Sequence, residues 1–370
     1  MMMRKTLIAM AVLAAAGTAN AAQIYGSDTA KVSLKGEIDT YISSWERDDT
    51  ATTQTKGDPD VNMWAKIQMD AEHQINGTFT AFGSFEMENG SWWNGTVSAI
   101  STDDLYAGVK TSSWGVVAGE HGDWANSMKA LEKDDIDNDA YYLGTAGGHH
   151  RESTGHGIGF KFYGVEGLTV VADVTTNSDE DIDPTWGTSV NYSLENYNLA
   201  VAYQVGETAS GVASATGQYK ATDYHKGGVS ASATFGGLYL ALTYVNYEGV
   251  DTFGFFGPTT AKGSTIADDT FYEGNAFGGA ASFTVDKLRL YTTYSLMSND
   301  KATLVTTTSS TTSDVNDADN SLLVVGADYG VLDNLTVFVE YQNSTAEAGL
   351  NTSAVDLDAY SFVLGSYYSF

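Results

Sequence analysis

The sequence contains no cysteine, 3 prolines in 370 residues, and 18 lysines and arginines against 47 aspartates and glutamates. Without cysteine there is no disulfide framework, no thiolate nucleophile and no thiolate metal ligand. A formal charge of −29 leaves no basic surface for nucleic acid, whose phosphates demand clustered Lys and Arg. Past the first 21 residues there is no apolar run of the roughly 18 residues that a spanning helix needs. The scarcity of proline leaves long hydrogen-bonded strands uninterrupted.

What is present begins at the amino terminus. Met1 to Ala21 has a basic start (Arg4, Lys5), an apolar stretch from Leu7 to Ala16, and the A-x-A signature Ala19-Asn20-Ala21. This is read as a secretory signal peptide cut between Ala21 and Ala22, so 1–21 is a cleaved leader and 22–370 a single domain. Arg4 and Lys5 contribute +2 to the −29, so the exported part carries −31. The other end, Tyr360 to Phe370, alternates so that Phe362, Leu364, Tyr368 and Phe370 share one face of an extended strand. A strongly amphipathic strand ending on an aromatic calls for an apolar surround. For an exported chain without spanning helices, that surround is a bilayer crossed by a closed barrel.

The rest of the sequence repeats this two-residue rhythm. The segment from Lys31 to Glu46 sets Val32, Leu34, Ile38 and Ile42 against Lys31, Ser33, Lys35, Glu37, Asp39 and Tyr41. Continued along the chain, the alternation predicts sixteen antiparallel strands, an all-β transmembrane barrel. Seven short turns, including Asn76-Gly77 and Gly236-Gly237, alternate with eight longer loops. The stretches 47–61, 207–225 and 298–319, the last nearly a Thr/Ser tract over 301–313, are read as loops by composition. Inward positions are polar: Lys66, Gln68, Asp70, Glu72, Glu86, Glu88, Lys161, Asp173, Asn191, Arg289, Asp328 and Glu340. Sixteen strands enclose water, so the expected activity is passive transport, with no cofactor and no metal. No catalytic grouping is recognisable, and an enzyme is not expected.

The phrases Leu34-Lys-Gly-Glu-Ile-Asp, Gln74-Ile-Asn-Gly-Thr-Phe-Thr-Ala-Phe-Gly-Ser-Phe-Glu, Leu105-Tyr-Ala-Gly-Val-Lys and Val165-Glu-Gly-Leu-Thr-Val-Val occur in this order between the leader and Phe370. Together they resemble the general, trimeric, sixteen-stranded porins of the Gram-negative outer membrane. The resemblance implies a homotrimer in that membrane, contacts with its lipid and lipopolysaccharide, and a terminal Phe370 read by the barrel-assembly machinery. It also implies a third loop folded into the lumen, with acids facing a basic wall. Here the third loop carries Glu132, Asp134, Asp135, Asp137 and Asp139. The corresponding wall positions are Glu37, Lys66, Glu120 and Thr145, with Arg151 and Lys161 nearby. Only Lys66 of the four is basic. The expectation is therefore an acidic constriction that prefers cations and small hydrophilic solutes. The alternative is a sugar-specific porin in which Tyr239, Tyr291, Phe338 and Tyr367 line the lumen.

Overall fold

The computed structural model describes residues 22–50, 53–91, 97–122, 124–138, 156–178, 182–213, 219–250, 270–305, 310–348 and 355–370. Ala21, Asp139, Thr145 and Arg151 lie outside these residues. Seventeen strands are present among them: β1 Ala22–Gly26, β2 Ala30–Thr50, β3 Thr53–Gln74, β4 Thr80–Ser91, β5 Val97–Lys110, β6 Trp114–Glu120, β7 His156–Val165, β8 Leu168–Thr176 and β9 Thr185–Leu194. The second half contributes β10 Tyr197–Ala213, β11 Tyr219–Phe235, β12 Leu238–Val250, β13 Thr270–Val285, β14 Leu288–Val305, β15 Ser310–Leu332, β16 Leu335–Ala348 and β17 Val355–Ser369. No helix among the described residues is long and apolar enough to cross a membrane.

From β2 to β17 each strand pairs antiparallel with the next, and β17 returns to β2 through Ala359↔Arg47 to Ser369↔Glu37. The sheet is a closed sixteen-stranded barrel. A short strand beyond the sixteen expected from the alternation, β1, pairs with β2 from Ala22↔Leu34 to Gly26↔Lys31, just past the point where β17 ends. Gly36 marks the junction, donating to the Phe370 carbonyl (2.8 Å) and accepting from the Phe370 amide (2.9 Å). Thus β17 and β1 lie end to end along one edge of β2.

Alternation decides which face of each strand meets which solvent. On β14, Leu290 and Tyr294 are about half exposed on the outside, whereas Tyr291, Thr293, Ser295 and Met297 are buried inside. The tight turns take the strained conformations that two-residue hairpins need: φ is +43° at Glu195, +53° at Asp286 and +62° at Gly236. At the first turn Asn76 Oδ1 accepts from the amides of Thr78 (2.9 Å) and Phe79 (3.0 Å).

Three stretches expected to be loops are largely strand. β2 and β3 run to Thr50 and from Thr53, β10 and β11 to Ala213 and from Tyr219, and β14 and β15 to Val305 and from Ser310. β15 has 23 residues, about twice what a tilted strand needs to cross a bilayer, so its hairpin with β14 stands well clear of the membrane. Within the Thr/Ser tract, Thr303 lies opposite Thr312 with hydroxyls 2.9 Å apart. Threonine is a turn residue by polarity but a strand residue by β-branching, and the cross-strand pairing lets the second property win.

Where β16 meets β17, the Phe338 ring stacks on Tyr367 (centroids 4.9 Å, 25°) and covers Gly365, whose absent Cβ makes room for it. Gly365→Ala should push this ring off its stack and cost about 1–3 kcal/mol. The check is the temperature at which the folded band converts to the unfolded band on a heat-modifiable gel, which should fall.

Candidate functional site

The longest connection among the described residues leaves β6 at His121 and turns inward. His121 Nδ1 sits 2.7 Å from the Ala125 carbonyl, and Asn126 Oδ1 accepts from the Met128 amide (2.9 Å), setting up a short 3-10 turn, Met128–Ala130. Ser127 donates its amide and its hydroxyl to Asp173 of β8. Glycines on the wall make this approach possible: a Cβ at Gly187 would collide with Ser127 and Asp173, and one at Gly159 with Ala125. Met128 and Leu131 are fully buried in an apolar cluster with Ala202, Ala241 and Val245, inward residues of β10 and β12.

From there the loop is fastened strand by strand. Ser230 of β11 donates to the Ala130 carbonyl (3.1 Å), Thr243 of β12 to the Leu131 carbonyl (2.9 Å) and to Asp134, and Tyr239 of β12 to the Lys133 carbonyl (2.7 Å). Lys133 itself donates to Asn191 of β9 (2.9 Å). Further on, Arg289 of β14 donates to the Ile136 carbonyl (2.8 Å) and to Asn138 Oδ1 (3.3 Å), while holding Asp328 of β15 (2.7 Å). Asn138 is the hub: its amide donates to Glu340 of β16, its side chain to Tyr291 (2.7 Å) and Asp328 (3.3 Å), and its carbonyl accepts from Tyr367 of β17. The loop thus crosses the lumen from β8 to β17, with Trp124 at its start packed on Phe82 of β4 (centroids 5.1 Å), and the inner face of β2–β5 lies across from its fastened part.

That inner face has its own charge pattern. Three of its lysines are matched to acids: Lys35 to Asp70 (3.7 Å), Lys66 to Glu86 (3.3 Å) and Lys110 to Glu72. Three acids take bonds from neutral donors instead: Glu37 from Ser369 (3.0 Å), Asp39 from Tyr41 (3.0 Å), and Glu88 from Trp64 (3.2 Å) and Ser101 (3.0 Å).

Residues 6–349 match the Gram-negative porin family. The chain belongs to that family. It is 26% identical over 283 residues to the outer membrane porin protein OmpD of Citrobacter koseri, covering 68% of this chain and 73% of OmpD. Its fold is similar to the anion-selective porin of Comamonas acidovorans (TM-score 0.66, 14% identity, 92% of this chain and 100% of that one). It is also similar to OmpT of Vibrio cholerae in a trimer form (TM-score 0.61, 15% identity, 93% and 100%). The porin is therefore an outer-membrane channel and not an enzyme. One fold serves an anion-selective relative, so selectivity has to be read from side chains.

The candidate residues divide by placement. Asp134 is buried, its carboxylate against Thr243 and Gly278 of the wall. Glu132, Asp135 and Asp137 are half-buried, and Asp137 accepts from Thr293 (3.3 Å). Lys66 and Glu37 stand on the facing wall, Glu120 ends β6 opposite Leu105, and Lys161 lies over the Trp124 ring at 5.3 Å. The sequence reading did not single out Asn138, Ser127 or Thr243, which hold the loop. Asn126-Ser127, an Asx-turn pair ahead of an apolar residue, was the one local signal of a fixed turn there.

Proposed function

We propose that this porin's channel favours cations and small neutral solutes, and that the excess carboxylates on the β2–β5 wall set the preference together with the half-buried acids of the third loop. The observation that carries the reading is the unequal pairing on that wall: Glu37 and Glu88 are bonded by neutral groups, while Lys35, Lys66 and Lys110 each already have an acid. A carboxylate not held in an ion pair lowers the energy of a passing cation in a narrow passage. Reversal potentials across a KCl gradient test it: a cation preference is expected, and an anion preference overturns it. The aromatics that would serve a sugar-specific channel are otherwise engaged. Tyr239, Tyr291 and Tyr367 hold the loop, and Phe338 is buried on Tyr367. This supports a general channel.

A homotrimer is the assembly we infer. The outward positions Ile38, Ile42, Met63, Ile67, Met69 and Met87 on β2–β4 are exposed and lack the tyrosines that face outward on β9, β10, β12 and β14 to β16, as a protein-covered sector would. Cross-linking in native membranes tests this.

Lys133 lies on the third loop, which spans no membrane. Burial pushes its ammonium down from the ordinary lysine range to about 8. Above that pH the folded loop loses one positive charge. The unfolded chain holds this proton more tightly, so stability rises as pH climbs from about 8 toward 10.5. Cation preference should increase between pH 7 and 9, and Lys133→Met should reduce that step in reversal-potential measurements.

A further inference from the structure

The outer surface of the barrel is not uniformly ridged. β11 carries small side chains outward, Gly227, Val229, Ala231 and Ala233, between larger ones on β10 and β12. The result is a groove of about 580 Å³ lined by Leu199, Val229, Ala231, Leu242, Tyr244 and Phe277. All six face outward, and Leu242 is 70% exposed. The groove is continuous with the apolar band that the membrane covers, so its lower part is filled by a hydrocarbon chain.

Its upper end is specific. Outward residues on β12 change from Leu238, Leu240, Leu242 and Tyr244 to Asn246 and Glu248, which marks the edge of the hydrocarbon on the side of the long loops. Tyr244, a groove residue, donates its hydroxyl to Asn275 Oδ1 (2.7 Å), and Asn246 donates to the same oxygen (3.3 Å) and to the Gly274 carbonyl (3.1 Å). Asn246 Oδ1 lies 3.1 Å from His225 Nε2, and His225 Nδ1 lies 3.2 Å from Glu248. Among the described residues no hydrogen bond engages Asn275 Nδ2. The neighbouring cation, Lys301, is held by both oxygens of Glu273 (2.7 and 2.9 Å). Glu248 and Glu273 against Lys301 give this rim one more carboxylate than lysine.

We propose that this groove and the polar cluster at its head form a binding site for a membrane lipid whose head is a neutral, hydroxyl-rich sugar. The acyl chain lies along Ala231 and Val229, and the sugar hydroxyls meet Asn246, Asn275 and the His225–Glu248 pair. Amide, imidazole and carboxylate groups supply the mixed donors and acceptors that hydroxyls require. A phosphate head is disfavoured by the excess carboxylate at this rim.

Native mass spectrometry of the detergent-solubilised porin tests the site with two lipids of identical oleoyl chains, a glucosyl diacylglycerol and phosphatidylglycerol. The glucosyl lipid should be retained in preference. Ala231→Phe, which fills the groove, should reduce retention of both lipids. Asn246→Ala with Asn275→Ala should weaken the glucosyl lipid alone, by about tenfold for one or two neutral hydrogen bonds. Wild-type conductance and heat-modifiable migration in both variants confirm an intact barrel. Preference for phosphatidylglycerol, or retention unchanged in the variants, overturns the proposal. If the variants do not fold, competition between the two lipids on the unaltered porin still decides: equal retention overturns it.

Discussion

Arg289→Ala should release the third loop and raise single-channel conductance. The guanidinium reaches two points of the loop, the Ile136 carbonyl and Asn138, and bridges them to Asp328. It also lies 4.6 Å from the Tyr291 ring, whose hydroxyl serves both Asn138 and the fully buried Glu340. Truncation leaves Asp328 mostly buried without its cation, which costs about 3–5 kcal/mol. At about 1.4 kcal/mol per decade, loop docking weakens on the order of a hundred- to a thousandfold. Conductance in planar bilayers should increase and fluctuate between levels, while folded mobility on gels shows the barrel intact. Asn138→Ala should act in the same direction and less strongly, because it removes neutral partners and leaves the backbone bond to Glu340. Unchanged conductance in an intact Arg289→Ala barrel would mean that the loop is held elsewhere.

The second large effect is expected on selectivity. Glu37→Gln and Glu88→Gln together remove two wall carboxylates that neutral donors hold. Each substitution keeps the shape and an acceptor oxygen, so the bonds from Ser369 and Trp64 survive. The reversal potential in a tenfold KCl gradient should move by tens of millivolts toward zero, against an ideal limit of about 59 mV. The shift should shrink in concentrated salt, where the screening length falls to a few ångströms. Asp137→Asn should move it less, since it removes a single half-buried loop carboxylate, held by Thr293. A double variant with the parental reversal potential would assign selectivity to the loop.

Much of the barrel was legible because alternation is local: a strand such as Leu288 to Leu296 announces its two faces in nine consecutive residues. The turns were legible for the same reason, since Gly236-Gly237 and Asn76-Gly77 have few other uses. The long hairpin extensions were misread because Ser, Thr and Asp read as loop by polarity alone, and only the facing strand shows that Thr303 has Thr312 for a partner. β1 escaped notice because five residues carry too little periodicity. At the site, residue types were legible and partners were not. Arg289, Asp328 and Glu340 could be counted as inward-facing, but Asn138 lies 202 positions from Glu340, and no spacing rule connects them. Asp134 was grouped with its acidic neighbours, yet Thr243 and the bare Gly278 draw it against the wall.

The seam between β17 and β2 has a consequence in time. Every other wall pairing joins strands adjacent in the chain, so hairpins can zip one after another at little entropic expense. Ser369 and Glu37, by contrast, meet across 332 positions, and closing a loop of that length costs about 5 kcal/mol before any contact repays it. Until then the growing sheet exposes two unpaired edges at once, each a template for the wrong partner. The nascent barrel is therefore most vulnerable just before it is finished, and the pairs from Ala359↔Arg47 to Ser369↔Glu37 determine how long that interval lasts.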